Sequence, residues 1–145
     1  MILLDTYVIS ELMRPHPQPS VLRWLDTQAE NELATTTVTV AEIGAGLAML
    51  PDGARRTELR RRAAELLQRG FAERTFGFDG PAAAVYADLF ALRRKAGRHA
   101  PGFDLLIAAI AKSRGHAVAT RNVGDFEGLG VVVVDPWQGH AADQD

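Results

Sequence analysis

Short, uninterrupted apolar runs separated by helix-length segments constrain this chain more than any other feature. Residues 1–4 (MILL), 32–36 (ELATT), 74–78 (RTFGF), 116–120 (HAVAT) and 131–135 (VVVVD) are each too brief to be a typical globular helix. A continuous apolar run of this length suits a strand covered on both faces, which is the habit of parallel sheets. Between the runs the pattern becomes helical. Thr6 opens a helix through Ile9, Leu12 and Met13, which PHPQP (15–19) must stop. A second helix over Ser20–Gln28 puts Val21, Trp24 and Leu25 on one face. AEIGAGLAML follows the ELATT strand behind a threonine cap, and Pro51 with Gly53 breaks the chain before an Arg-rich helix over Ala54–Gln68. Helices over Pro81–Lys95 and Phe103–Arg114 complete the series. The alternation predicts an α/β domain with a short central parallel sheet of four to five strands flanked by helices. The domain is expected over 1–137, with 138–145 a frayed tail.

Composition narrows the chemistry by exclusion. The chain has no cysteine, which removes disulfides, thiolate zinc sites and thiol nucleophiles. His16, His99, His116 and His140 show no metal-ligand spacing, so zinc is not expected; His99 is taken as a loop residue without a role. No GxxxxGK pattern occurs, and GLG at 128–130 is too short for a phosphate loop. The formal charge of -2 does not advertise nucleic acid as a partner of the whole surface. The longest apolar runs are too short to span a bilayer, and MILLDTYVIS meets an acid at residue 5 where a secretory signal is basic. The expectation is a cytoplasmic protein with no membrane partner.

The informative residues are acids placed beside apolar runs, where a carboxylate is costly unless something binds it. Asp5 closes the first strand, at the sheet edge where open α/β folds bind ligands. Glu42 falls in the first turn or two of the helix after the second strand. Asp104 begins the helix leading into HAVAT, and Asn122 and Asp125 follow that strand. Three or four hard oxygen ligands converging on one edge suit Mg²⁺ or Mn²⁺. Each acid also has a plainer reading. Asp5 and Asp104 can serve as helix caps, Glu42 as a surface helix residue, and Asp125 as a turn residue.

In order along the chain, MILLDTYVISELMRP, VTVAEI, LPDGARR, FDGPAAAVYADL, FDLLIAAIA, ATRNVGDF and the closing DPW resemble the PIN-domain ribonucleases of the VapC/FitB type, toxins of bacterial toxin–antitoxin pairs. The resemblance covers nearly the whole chain. It implies a PIN-like fold and a metal-dependent endoribonuclease that hydrolyses RNA phosphodiester bonds with Mg²⁺ or Mn²⁺. It makes Asp5, Glu42 and Asp104 the catalytic, metal-binding acids, with Asn122 at the fourth position and Asp125 the acid beside it. It also implies a cognate antitoxin, a homodimer, and a higher assembly with antitoxin on DNA. One position departs from the family: Tyr7 stands where Asn is usual, and a phenol cannot reproduce the hydrogen bonds of an amide. Packing of the ring against the first helix is the expectation, with stacking on an RNA base the alternative.

A second class of function stays open: a catalytically weakened PIN-fold binding module acting with an antitoxin on operator DNA. Tyr7 favours it; retention of the three acids opposes it. A phosphatase with an aspartate nucleophile needs another acid two residues after Asp5, and Tyr7 occupies that position. A receiver domain needs paired acids that the first loop lacks. Among basic residues, Arg55, Arg56, Arg60, Arg61 and Arg62 read as a salt-laced surface through the Glu58–Arg62 and Glu65–Arg69 spacings. Arg93, Arg94, Lys95 and Arg98, closer in sequence to Asp104, are the candidates for guiding RNA. Val8, Ile9 and Leu12, or Ala84, Tyr86 and Leu89, are candidate dimer faces.

Overall fold

The computed structural model describes residues 1–98 and 102–138. Among these residues the chain forms five strands and six α-helices: β1 (Ile2–Leu4), α1 (Thr6–Leu12), α2 (Pro19–Asp26), β2 (Leu33–Thr36), α3 (Thr37–Ala48), α4 (Ala54–Ala64), β3 (Thr75–Phe76), α5 (Gly80–Lys95), α6 (Gly102–Arg114), β4 (Ala117–Ala119) and β5 (Val133–Val134). All pairings are parallel, in the order β3-β2-β1-β4-β5. The chain builds outward from β1 to β3, then returns to lay β4 on the other side of β1. The order therefore reverses between β1 and β4, which opens a crevice beyond their carboxyl ends.

Strand alternation sends neighbouring residues to opposite faces of this sheet. Leu3, Ala34 and Val118 join the α5–α6 side, where Leu105, Ile110 and Phe126 fill the core. Leu4, Leu33 and Ala119 join the other side, against Val8, Ile9 and Trp24 from α1 and α2. Burial of both faces explains why the strands read as continuous apolar runs. Val8 and Ile9 are wholly buried, so the first candidate dimer face is internal core. Leu89 is likewise buried, leaving Ala84 and the half-buried Tyr86 on the outer side of α5. Among the described residues no helix is long and apolar enough to cross a membrane.

Local chemistry sets the element ends. Gly115, in the left-handed region at φ 70°, turns α6 into β4 as the His116 amide donates to the Ala111 carbonyl at 2.9 Å. The helix expected over AEIGAGLAML begins four residues earlier, because the buried Thr36 hydroxyl accepts from the Thr39 amide at 3.1 Å and caps the run at Thr37. Packing of Val38, Thr39 and Ile43 outweighs the modest helix propensity of this β-branched run. The Arg-rich helix continues past Ala64 as a wider π-helical turn, Glu65–Gly70. That turn displaces Arg69 from the i,i+4 position below Glu65, which pairs with Arg61 at 2.9 Å instead. The expected salt-laced surface is present in Arg61 and Arg62, both bonded to Glu58. The segment expected to be a frayed tail lies outside the described residues from 139 on, as does His99.

Replacing Thr36 with Ala should cost roughly 0.5–2 kcal/mol in urea unfolding, through loss of the α3 cap. Thr36→Ser, which keeps the hydroxyl acceptor, should retain most of that stability.

Candidate active site

The crevice at the β1/β4 reversal is lined by side chains from four parts of the sequence. Asp5, Thr6, Tyr7 and Ser10 come from the end of β1 and from α1, Glu42 from α3, Phe103 and Asp104 from the start of α6, and Asn122 and Asp125 from the segment after β4. Together with Gly102 they enclose a cleft of about 380 Å³. The five residues expected to share a site thus meet in one place, although Asp5 and Asp125 are far apart in sequence.

Asp5 is held hardest. Its backbone amide continues the sheet by donating to the Ala119 carbonyl at 3.1 Å, and its Oδ1 accepts from the Val8 amide at 3.1 Å. The residue caps the helix, as its plainer reading expects, and also forms a wall of the cleft. Only 2 % of it is exposed. Burial raises its carboxyl to about 6; the Thr120 hydroxyl and the Val8 and Tyr7 amides pull against that rise, and the charge on Glu42 adds to it.

Glu42 sits in the second turn of α3, where Thr6 Oγ1 donates to its Oε1 at 2.7 Å. Thr6 Oγ1 lies also 3.3 Å from Thr39 Oγ1, which ties this hydroxyl to the capped end of α3. Thr120 Oγ1 accepts from the Asn122 amide at 3.0 Å and so fixes the chain as it leaves β4. A single 3₁₀ turn, Val123–Phe126, then carries Asp125 over the cleft while Phe126 anchors the turn in the core. Asp104 is raised to about 7, chiefly by burial, then by a hydrogen bond shared with Asp125 and by repulsion from Asp125, Asp5 and Glu42.

These acids repel one another with nothing positive among them. Among the described residues, no ion pair includes Asp5, Glu42, Asp104 or Asp125, and no Lys, Arg or His lines the cleft. Four carboxylates, an amide oxygen and two hydroxyls form a hard oxygen donor set that fits Mg²⁺ or Mn²⁺. Their spacing is looser than a closed site. Among the described residues no three His, Cys, Asp or Glu side chains stand close enough to hold an ion as arranged, so closing round one requires side-chain rotation.

Several residues behave differently from expectation. Tyr7 does not bury its ring against the first helix: it is 49 % exposed and lines the cleft. Arg93, on α5, is buried, and none of Arg93, Arg94, Lys95 and Arg98 lines the cleft. Ser10 and Phe103 were missed, although Ser10 lies one helical turn beyond Thr6 and Phe103 directly precedes Asp104. A second, more apolar groove of about 510 Å³ adjoins the cleft through Thr6, Ser10 and Glu42, with Arg14, Arg55 and Arg62 at its edge.

The raised carboxyls carry a pH signature. The folded chain holds protons more tightly than the unfolded chain between the ordinary aspartate value and about 6–7, so stability falls as pH rises through that window and levels above it. Without divalent ions, Asp104→Asn should therefore raise stability by roughly 1–2 kcal/mol at pH 8 and change it little at pH 4. Denaturant midpoints at the two pH values check this.

The PIN domain model matches residues 2–129. The plasmid stability protein StbB of Pseudomonas syringae pv. tomato is 46 % identical over 95 % of this chain and 99 % of its own length. The VapC ribonuclease Y4jK of Sinorhizobium fredii is 41 % identical over the same shares. The crystal structure of FitAcB from Neisseria gonorrhoeae superposes with a TM-score of 0.87 at 39 % identity, covering 94 % of this chain and 99 % of that one. A structure of FitAB bound to an IR36 DNA fragment gives the same TM-score and identity, covering 94 % and 96 %. With its five-stranded parallel sheet and its cleft at the β1/β4 reversal, the chain belongs to the PIN-domain family and is of the VapC/FitB type.

Proposed function

We propose that this protein is a divalent-metal-dependent endoribonuclease, the toxin of a toxin–antitoxin pair. The observation that carries the reading is the cleft itself: carboxylates from four separate elements, two of them, Asp5 and Asp104, raised by burial and by neighbouring negative charge, with no cationic side chain among the described lining residues. A purely structural cluster of that kind is a cost with no return.

In this reading Asp5, Glu42 and Asp104 hold the ion, with Asn122 or Asp125 completing the set. Bound there, Mg²⁺ or Mn²⁺ supplies Lewis-acid chemistry, neutralising charge at a phosphodiester and acidifying water. The chain's own residues prepare the site. The Val8 amide fixes one oxygen of Asp5, and Thr6 Oγ1 aims Glu42 through its 2.7 Å bond. Asp104, held at about 7 by burial and by its hydrogen bond with Asp125, would give up its proton as positive charge entered the cleft.

The relatives support the remaining parts. A VapC ribonuclease and a FitAB complex on DNA are the similarities that support an RNA substrate, an antitoxin partner and a joint assembly on DNA. A homodimer follows the same reading, with the outer side of α5 around Ala84 and Tyr86 the remaining candidate contact. An RNA-cutting toxin of this kind acts in the cytoplasm, where its substrate is.

Purified protein freed of antitoxin should cut RNA with Mg²⁺ or Mn²⁺ and stop on addition of EDTA. Asp104→Asn and Glu42→Gln should each lower the rate by about 100-fold or more. Cutting that persists in both variants would sink this assignment, and RNA binding without cutting at any metal concentration would favour the binding-module reading. Thr6→Val should weaken Mn²⁺ binding by roughly 10-fold, since Glu42 then loses its orienting donor; calorimetry reads this directly.

A further inference from the structure

A polyanion can settle over the acidic cleft only if positive charge meets it nearby, yet among the described residues no Lys, Arg or His lines that cleft. The charge has to come from the rim. Most basic side chains are engaged elsewhere. Arg14, Arg56, Arg61, Arg62 and Arg114 are paired with carboxylates, Lys112 donates to the Leu129 carbonyl, and Arg93 is buried. Arg121 is different. It is exposed, and it directly precedes Asn122, whose side chain lines the cleft.

The Arg121 guanidinium lies over the Trp137 ring, 5.2 Å from its centroid. Both sides of this contact are anchored. The Thr120 amide donates to the Val134 carbonyl at 2.9 Å, and Thr120 Oγ1 accepts from the Asn122 amide at 3.0 Å, so the backbone on either side of Arg121 is fixed. Trp137 packs against the α1–α2 core, and its amide donates to Asp135 Oδ1 at 2.9 Å. A cation–π contact holds a guanidinium in place while leaving most of its N–H donors unspent. Among the described residues those donors meet no acceptor, and Arg121 enters no ion pair. A fixed, unused fork of this kind matches two oxygens of a phosphate.

Resting on the ribonuclease reading, we infer that Arg121, held on Trp137, grips a backbone phosphate beside the scissile one. Arg121 is then a substrate-binding residue, and Trp137 is the positioning residue that aims it. Its place just outside the cleft has a physical reason. A guanidinium among the carboxylates would pair with them and compete with a cation, whereas one on the rim attracts the backbone and leaves the acids free. The gripped phosphate does not react, so the contact is equally strong in the ground and transition states. Its loss therefore falls on KM rather than on kcat.

The test follows cleavage of a transcript that the wild-type protein cuts, at fixed Mg²⁺ and varied KCl. Arg121→Ala should raise KM by about 10-fold with kcat within about twofold, and should make the plot of log kcat/KM against log salt shallower by about one charge. Arg121→Lys should keep the salt slope but recover only part of KM, since an ammonium lacks the fork. Trp137→Phe should likewise raise KM and keep the slope. Arg60→Ala, which removes the same charge from the exposed side of α4, should change neither. Calorimetric Mn²⁺ affinity should match wild type in Arg121→Ala. Unchanged KM and slope in Arg121→Ala, or an equal shift in Arg60→Ala, overturns the inference while leaving the ribonuclease intact. Weakened Mn²⁺ binding in Arg121→Ala also overturns it, because Arg121 would then act by shaping the Asn122 segment. Failure of the wild type to cut any transcript removes both the inference and the reading beneath it.

Discussion

Asp5 carries two obligations with one carboxylate, and much of the molecule is arranged around them. It caps α1 through Val8 and closes β1 against β4 through Ala119, so it must lie deep at the sheet edge. That depth denies it water, and burial holds its carboxyl near 6. The neighbours increase the strain: Glu42 adds negative charge from α3, and Asp104 with Asp125 closes the far side. Three hydroxyls, from Thr6, Thr39 and Thr120, answer with polar contacts but no positive charge. The domain therefore tolerates a destabilised edge, which is the pattern of a site kept for binding rather than for stability.

Topology makes this concentration of acids possible. Because β4 returns beside β1, residues 5 and 125 become neighbours without any local sequence relation. The buried, all-parallel sheet gives the edge a rigid base, with Leu3 and Leu4 locked into opposite cores. A rigid frame suits acids that must hold their positions despite repulsion, and leaves only side-chain rotation to close round an ion.

Much of this was legible in the residues. The strands could be read because both sheet faces are covered, so MILL, ELATT and HAVAT are continuous rather than alternating. The acids could be read because each stands beside such a run. What stayed hidden depends on tertiary context. Whether Val8 and Ile9 face a core or a partner cannot follow from helical period alone, since both surfaces are apolar. The early start of α3 rests on one buried hydroxyl, Thr36, within a β-branched stretch whose propensity points elsewhere. The π-helical turn after Ala64 shifts the Glu65–Arg69 spacing out of register. The exposure of Tyr7 follows from its place at the cleft, where the helix face that would bury it opens to solvent instead.

The central claim is that the carboxylates of the cleft are poised for a divalent cation that displaces protons held by the raised Asp5 and Asp104. Calorimetric titration of Mn²⁺ into metal-free protein at pH 6 and pH 8, in buffers of differing ionisation enthalpy, tests it most directly. The account predicts saturable binding, tighter at pH 8, with proton release at pH 6 and much weaker binding in Asp5→Asn. Equal affinity for wild type and Asp5→Asn, or binding without proton release at pH 6, would contradict it.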